Sequence, residues 1–117
     1  MVTGGIAAYK SALLVRLLTC GGAEVRVVMS AAATEFVTPL TFEVLSENPV
    51  SLNIFARRER PVVEHVELSK WADRVVVAPA TADIVAKAAL GIADEIASTV
   101  LLSARAMNLA LTVLEPF

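Results

Sequence analysis

Arg74-Val75-Val76-Val77-Ala78-Pro79-Ala80-Thr81-Ala82-Asp83 decides the architecture. The β-branched run over Arg74 to Ala78 predicts a strand, and Pro79, with no amide to give a ladder, closes it. Helical patterns follow over Thr81 to Leu90 and over Asp94 to Ser103, with Gly91 between them. Asp94 and Glu95 stand where the second helix has its positive end. A strand feeding helices is the unit of an α/β fold, and the unit recurs upstream. Met1 to Thr3 reads as the tail of a first strand, entering Gly4-Gly5 and a helix from Ala7 to Cys20. Leu13, Leu14, Leu17 and Leu18 form one broad apolar face on that helix, which Gly21-Gly22 stops. Glu24 to Met29 predicts a second, mostly buried strand, and Ser30 is placed to cap a helix begun by Ala31, Ala32 and Ala33.

Elsewhere the pattern is looser. Pro39 is expected to end or kink the helix after Ser30, and Thr41 to cap a short one through Leu45. Ser46 to Pro61 reads as irregular, with charge crowded at Arg57, Arg58, Glu59 and Arg60, before a short helix over His65 to Trp71. Leu109 to Leu114 has strand composition, yet Ala104 to Asn108 is a short connection for a parallel crossover. The expected class is α/β, an open parallel sheet with helices on both faces. A single domain over 1–117 is expected, incomplete at both ends and around 104–117.

Composition narrows the function classes. The chain has 117 residues, 56% of them hydrophobic and 19% charged, with a net charge of −2. No apolar run approaches the roughly 20 residues a membrane helix needs, so no membrane partner is expected. Lys and Arg form no large basic block, so no nucleic-acid partner is expected either. The single Cys20 excludes an internal disulfide and a Cys-built metal cluster, and fits a reducing cytoplasm. At a helix end without basic neighbours, it is expected to be a packing residue.

Three strand-to-helix junctions carry the case for a ligand: Thr3-Gly4-Gly5-Ile6, Ser30-Ala31-Ala32 and Ala78-Pro79-Ala80-Thr81-Ala82-Asp83. Each offers unpaired helix-start amides to an anion, and glycines let a ligand approach the backbone. Parallel strands would gather them at the carboxyl edge of the sheet, where such sheets bind ligands. His65 is the one histidine, the side chain suited to proton transfer near neutrality, though a lone histidine is more often a satisfied polar group. No second His or Cys stands at ligand spacing from it, so no metal is expected. Asn108 is an amide able to hold a carboxylate, or simply a turn residue.

Four motifs in order, Thr3-Gly4-Gly5-Ile6-Ala7-Ala8-Tyr9-Lys10, Val27-Val28-Met29-Ser30-Ala31-Ala32-Ala33, His65-Val66-Glu67-Leu68-Ser69-Lys70-Trp71-Ala72-Asp73 and Ala78-Pro79-Ala80-Thr81-Ala82-Asp83, resemble the homo-oligomeric flavin-containing cysteine decarboxylases. Within that family the resemblance is greatest to the phosphopantothenoylcysteine decarboxylases of coenzyme A biosynthesis. It implies a Rossmann-like flavoprotein fold, FMN at subunit interfaces, and assembly as trimers or a dodecamer of trimers. By position it implies FMN contacts at Gly4, Gly5, Ile6, Ser30, Ala31, Ala32, Thr81, Ala82, Asp83, Ile84 and Ala106. His65 matches the catalytic histidine, and Asn108 the amide that holds the substrate carboxylate.

The implied reaction converts 4'-phosphopantothenoylcysteine to 4'-phosphopantetheine: flavin oxidises the thiol, CO2 leaves, and the reduced flavin returns a hydride. A cysteine-ligase domain, fused or adjacent, is an implied partner. Relatives that use the fold as a regulatory subunit without turnover, or decarboxylate peptidyl cysteines, are the alternatives. The chain departs from the family pattern at its end. Ala104-Arg105 runs straight into Ala106-Met107-Asn108 without the family's strand and proline, and Leu109-Ala110-Leu111 replaces an aromatic continuation. The flap with its cysteine has no counterpart.

Overall fold

The computed structural model describes residues 1–54 and 63–114. Its elements run α1 (Ala8–Cys20), a 3-10 turn (Ala32–Glu35), α2 (Pro39–Ser46), α3 (Glu64–Trp71), β1 (Arg74–Val77), α4 (Ala82–Leu90), α5 (Ile96–Ala106) and β2 (Ala110–Val113). β1 and β2 pair in parallel, with Arg74 opposite Ala110 and Val77 opposite Val113.

Hydrogen bonds carry the parallel arrangement past these two strands. The Met1 amino group donates to the Val76 carbonyl at 2.8 Å, and Ala78 N–H donates to the Met1 carbonyl at 3.0 Å. Val2 bridges Met29 and Val28 bridges Ser51, both in parallel. The extended segments therefore lie side by side in the order Ser51, Val28–Met29, Met1–Thr3, β1, β2. The chain winds outward one way from Met1–Thr3 and then the other way from β1. The crevice where the winding reverses opens at the carboxyl ends of those two segments.

Alternation along the strands sorts the core into two layers. Val2, Val27 and Met29 face Ala8 and Val15 of α1 and Phe42 of α2. Val28, Val75 and Val77 face Ile84 of α4 and Ile96, Val100 and Leu101 of α5. Helices thus cover both faces, as a parallel sheet requires.

Several expectations need correction. On α1 the buried residues are Ala8, Ser11 and Val15, while Leu13 and Leu17 are exposed. Small side chains bring α1 close to the sheet and turn part of the leucine face outward. Pro39 neither ends nor kinks a helix; it opens α2 as its first residue, where a missing amide costs nothing. Only a 3-10 turn forms after Ser30, whose Oγ nevertheless accepts from Ala33 N–H at 3.2 Å. β2 is a true strand: the crossover from β1 is built by α4 and α5 together, so the short stretch after Ala104 need not supply it. Cys20 is exposed rather than packed. Arg57, Arg58 and Arg60 lie outside the described residues.

Candidate functional site

Thr3 is the pin of the crevice. Its Oγ1 donates to the Pro79 carbonyl and accepts from Thr81 N–H at 3.2 Å, tying the end of the first segment to the loop after β1. Ser30 N–H donates to the Val2 carbonyl at 3.0 Å, fastening the second junction to the first. The glycines show how closely the loops approach. A Cβ on Gly4 would lie 2.4 Å from Ala32 Cβ, an overlap that only glycine avoids. A Cβ on Gly5 would lie 3.7 Å from Thr81 Cγ2, an ordinary contact. The three junctions singled out from the sequence therefore meet.

Much of this edge faces outward. Ile6, Ala31, Ala32, Ala82 and Asp83 are exposed, and Gly4, Gly5 and Thr81 are half-buried. Amides in a helical first turn lack an intrahelical acceptor, so these helix starts present donors along one rim. Ser30 and Ile84 are buried, and Ile84 packs into the core; its amide donates to Thr81 Oγ1 at 3.4 Å. Ile84 thus supports the rim through its backbone, and its side chain cannot line it.

His65 belongs to the same edge. It is the second residue of α3, whose start is held by a hydrogen bond from Ser51 Oγ to the buried Glu64 carboxylate. Ser51 in turn accepts from Met29 N–H at 3.1 Å, beside Ser30. The His65 imidazole is half-buried, and its Nδ1 is buried with no hydrogen-bond partner among the described residues.

Two residues of this edge escaped the sequence reading as site residues. Thr3 looked like an ordinary strand end. Glu95 was placed only as a helix-start acid, yet besides capping α5 its carboxylate accepts from Ala31 N–H at 3.4 Å. Nearby, Lys87 lies 3.0 Å from Asp83 and 3.3 Å from Asp94. The hydrogen bond with Asp83, with Asp94 adding to it, raises the Lys87 ammonium pKa, and that with Lys87 lowers the pKa of Asp94.

Ala106 and Asn108 do not join the rim. α5 ends at Ala106, and Asn108 turns the chain into β2, which starts beside Arg74 and ends beside Val77. Residues before β2 lie at the amino edge of the sheet, whereas Leu114, past its other end, accepts at its carbonyl from Ala80 N–H at 2.8 Å. Asn108 has φ 54°, the left-handed conformation that asparagine tolerates in turns. Among the described residues no cluster of His, Cys, Asp or Glu is arranged to hold a metal, and no helix is long and apolar enough to cross a membrane.

The family described as Flavoprotein matches residues 1–116. The chain belongs to that family. This flavoprotein is 48% identical over 105 residues to the coenzyme A biosynthesis bifunctional protein CoaBC of Haemophilus influenzae, a match covering 90% of this chain and 26% of that protein. It therefore spans about a quarter of the length of that relative. Among solved structures, the FMN-dependent cysteine decarboxylase SpaF superposes with a TM-score of 0.83 at 31% identity, over 96% of this chain and 63% of that one. A PPC decarboxylase mutant complexed with pantothenoylaminoethenethiol gives 0.74 at 29% identity, over 96% and 62%. These likenesses agree with the expected fold: a Rossmann-like parallel sheet with its switch-point crevice.

Proposed function

We propose that this flavoprotein binds FMN at the carboxyl edge and decarboxylates 4'-phosphopantothenoylcysteine to 4'-phosphopantetheine, a carboxy-lyase step of coenzyme A biosynthesis. The likeness to CoaBC and to PPC decarboxylase supports the substrate class. One structural observation carries the reading: Thr3 and Ser30 fasten three strand-end loops together, and the one histidine stands on the same edge with a buried nitrogen that has no hydrogen-bond partner among the described residues.

The residues fit the cofactor. Gly4 and Gly5 keep the floor of the cradle free of side chains, and Ala31, Ala32 and Ala82 keep its rim low, which suits a flat ring. Amides at the start of α4 suit a phosphate. When bound, FMN would supply reversible two-electron chemistry at the substrate thiol, so the net reaction would be redox-neutral. The protein's part is placement and proton handling. Thr3 and Ser30 fix the loops, and Thr81 orders the first turn of α4. His65 Nδ1, without a hydrogen-bond partner among the described residues, is placed to take or give a proton at the substrate.

The active form is a homo-oligomer in the cytoplasm, a trimer or a dodecamer of trimers, working beside a cysteine-ligase domain. Tyr9, Leu13 and Leu17 support association, because they make an exposed apolar stripe at helical spacing along α1. The position of Asn108, away from the cradle, favours a second reading: an FMN-binding subunit that turns nothing over. Carbon dioxide release from the FMN-loaded protein separates the two. Release that falls sharply in His65→Asn with flavin retained supports the enzyme. Bound flavin with no release from the unaltered protein supports the subunit.

A further inference from the structure

Glu64 opens α3 directly before His65, and its carboxylate is buried, with the residue only 4% exposed. A carboxylate buried to that degree is costly unless hydrogen bonds replace its water. Ser51 Oγ supplies one such bond from thirteen residues away along the chain. The first turn of α3 adds the positive end of a helix. The chemistry assigned above to FMN and His65 makes no use of this carboxylate.

Ser51 is a firm anchor. Its N–H donates to the Val27 carbonyl at 2.9 Å and its carbonyl accepts from Met29 N–H at 3.1 Å, so both backbone groups are spent on the neighbouring segment of the sheet. Met29 is fully buried and directly precedes Ser30, whose N–H donates to the Val2 carbonyl. From the second junction the bonds therefore run from Met29 to Ser51 and from Ser51 to Glu64, one peptide short of His65. On the other side of the histidine, the buried Ser69 donates from its Oγ to the His65 carbonyl at 2.8 Å. Leu68 packs the body of α3 against the core layer that holds Val100 and Leu101 of α5. Apolar contact is non-directional and lets a helix slide, whereas a hydrogen bond at its first residue fixes where it begins.

We propose that Glu64 is a positioning residue for His65: clasped by Ser51, it fixes the start of α3 so that the imidazole stands at a set distance from the Ser30 junction. The proposal rests on the reading above, in which His65 moves a proton at the substrate. A group that transfers a proton must lie within hydrogen-bond reach of its target, and a displacement of about 1 Å can cost on the order of 10²-fold in rate. His65 Nδ1 has no hydrogen-bond partner among the described residues, so no bond at that atom holds the ring in place. The backbone carries that task, and Glu64 is where the backbone is tied to the sheet.

His65 is the one histidine, so its imidazole signals in a proton NMR spectrum are unambiguous. Ser51→Ala and Glu64→Ala should shift them in the same direction, with FMN or without it. Ser46→Ala removes a buried hydroxyl bonded to Phe42 and Asn48 instead, and should leave them in place. In the FMN-loaded chain, Ser51→Ala and Glu64→Ala should each lower kcat for CO2 release about ten- to a hundredfold, with KM within about twofold. The double variant should lose no more than the worse single one, because the two residues make one link. Glu64→Gln keeps an oxygen for the Ser51 hydroxyl and should recover most of both effects. Unmoved imidazole signals in Ser51→Ala and Glu64→Ala, losses that multiply in the double variant, or a Gln variant as impaired as the Ala variant each overturn the proposal. Should Glu64→Ala fail to fold, the other two decide: a larger shift in Ser51→Ala than in Glu64→Gln supports the proposal, and an equal or smaller one overturns it. The signals are read without substrate, so a chain that releases no CO2 sinks the catalytic reading while the placement of His65 is still judged by the spectrum.

Discussion

At the carboxyl edge of the sheet, Thr3, Gly4 and Ser30 draw three loops into contact. At the amino edge, the same segments stand apart around a groove of about 520 Å³. The strands are common to both edges, so strand chemistry does not make the difference. Chain direction does. In a parallel sheet every strand leaves at one edge, so helix starts with their donor amides collect there, while helix ends and turns such as Asn108 collect at the other. The contrast can be broken by asking whether chemistry depends on one edge only. His65→Asn should lower CO2 release about 10²- to 10⁴-fold with flavin retained. Asn108→Ala, at the opposite edge, should leave the rate within about twofold, and equal losses in a CO2 assay would erase the distinction.

This contrast was only half legible in the sequence. Gly4-Gly5, Ser30 and Thr81 announced their junctions because turn chemistry and capping are local, and parallel strands then oblige the junctions to converge. Asn108 stands at the amino edge, although the motif Ala106-Met107-Asn108 resembles the family's in its letters. Which edge it occupies depends on whether it precedes or follows β2, and that strand was doubted because its crossover was sought in the residues just before it. Thr3 and Glu95 went unseen as site residues because each acts through a partner distant in sequence, Pro79 and Thr81 for one and Ala31 for the other. The leucines of α1 misled for a related reason: periodicity finds an apolar face, but the close approach of Ala8 and Ser11 decides which residues are buried.

The amino edge has its own signature in pH. Burial holds the Met1 ammonium at about 6 against 8.0 when exposed. Below 6 both folded and unfolded chains carry the proton, and above 8 neither does. Between them only the unfolded chain binds it, so stability should rise with pH across that window, by up to roughly 3 kcal/mol. Urea melts of the chain at pH 6 and pH 8 measure the rise, which amino-terminal acetylation should remove.

Smaller effects sharpen the carboxyl edge. Gly4→Ala must displace Ala32 and should cost about 1–3 kcal/mol in thermal unfolding and weaken flavin binding, whereas Gly5→Ala, with room for its methyl, should do neither to that degree. Thr3→Val leaves Thr81 N–H and the Pro79 carbonyl without their shared partner and should also cost about 1–3 kcal/mol. Smallest of all, Asn108→Gly relieves a left-handed residue and should be neutral or stabilising by about 1 kcal/mol.

The central claim is that the pinned loops make a flavin cradle. Titrating the purified chain with FMN while following quenching of flavin fluorescence tests it most directly. Saturable, stoichiometric quenching that weakens in Gly4→Ala and survives Asn108→Ala is the predicted result. Absence of saturable quenching by the unaltered chain would contradict it.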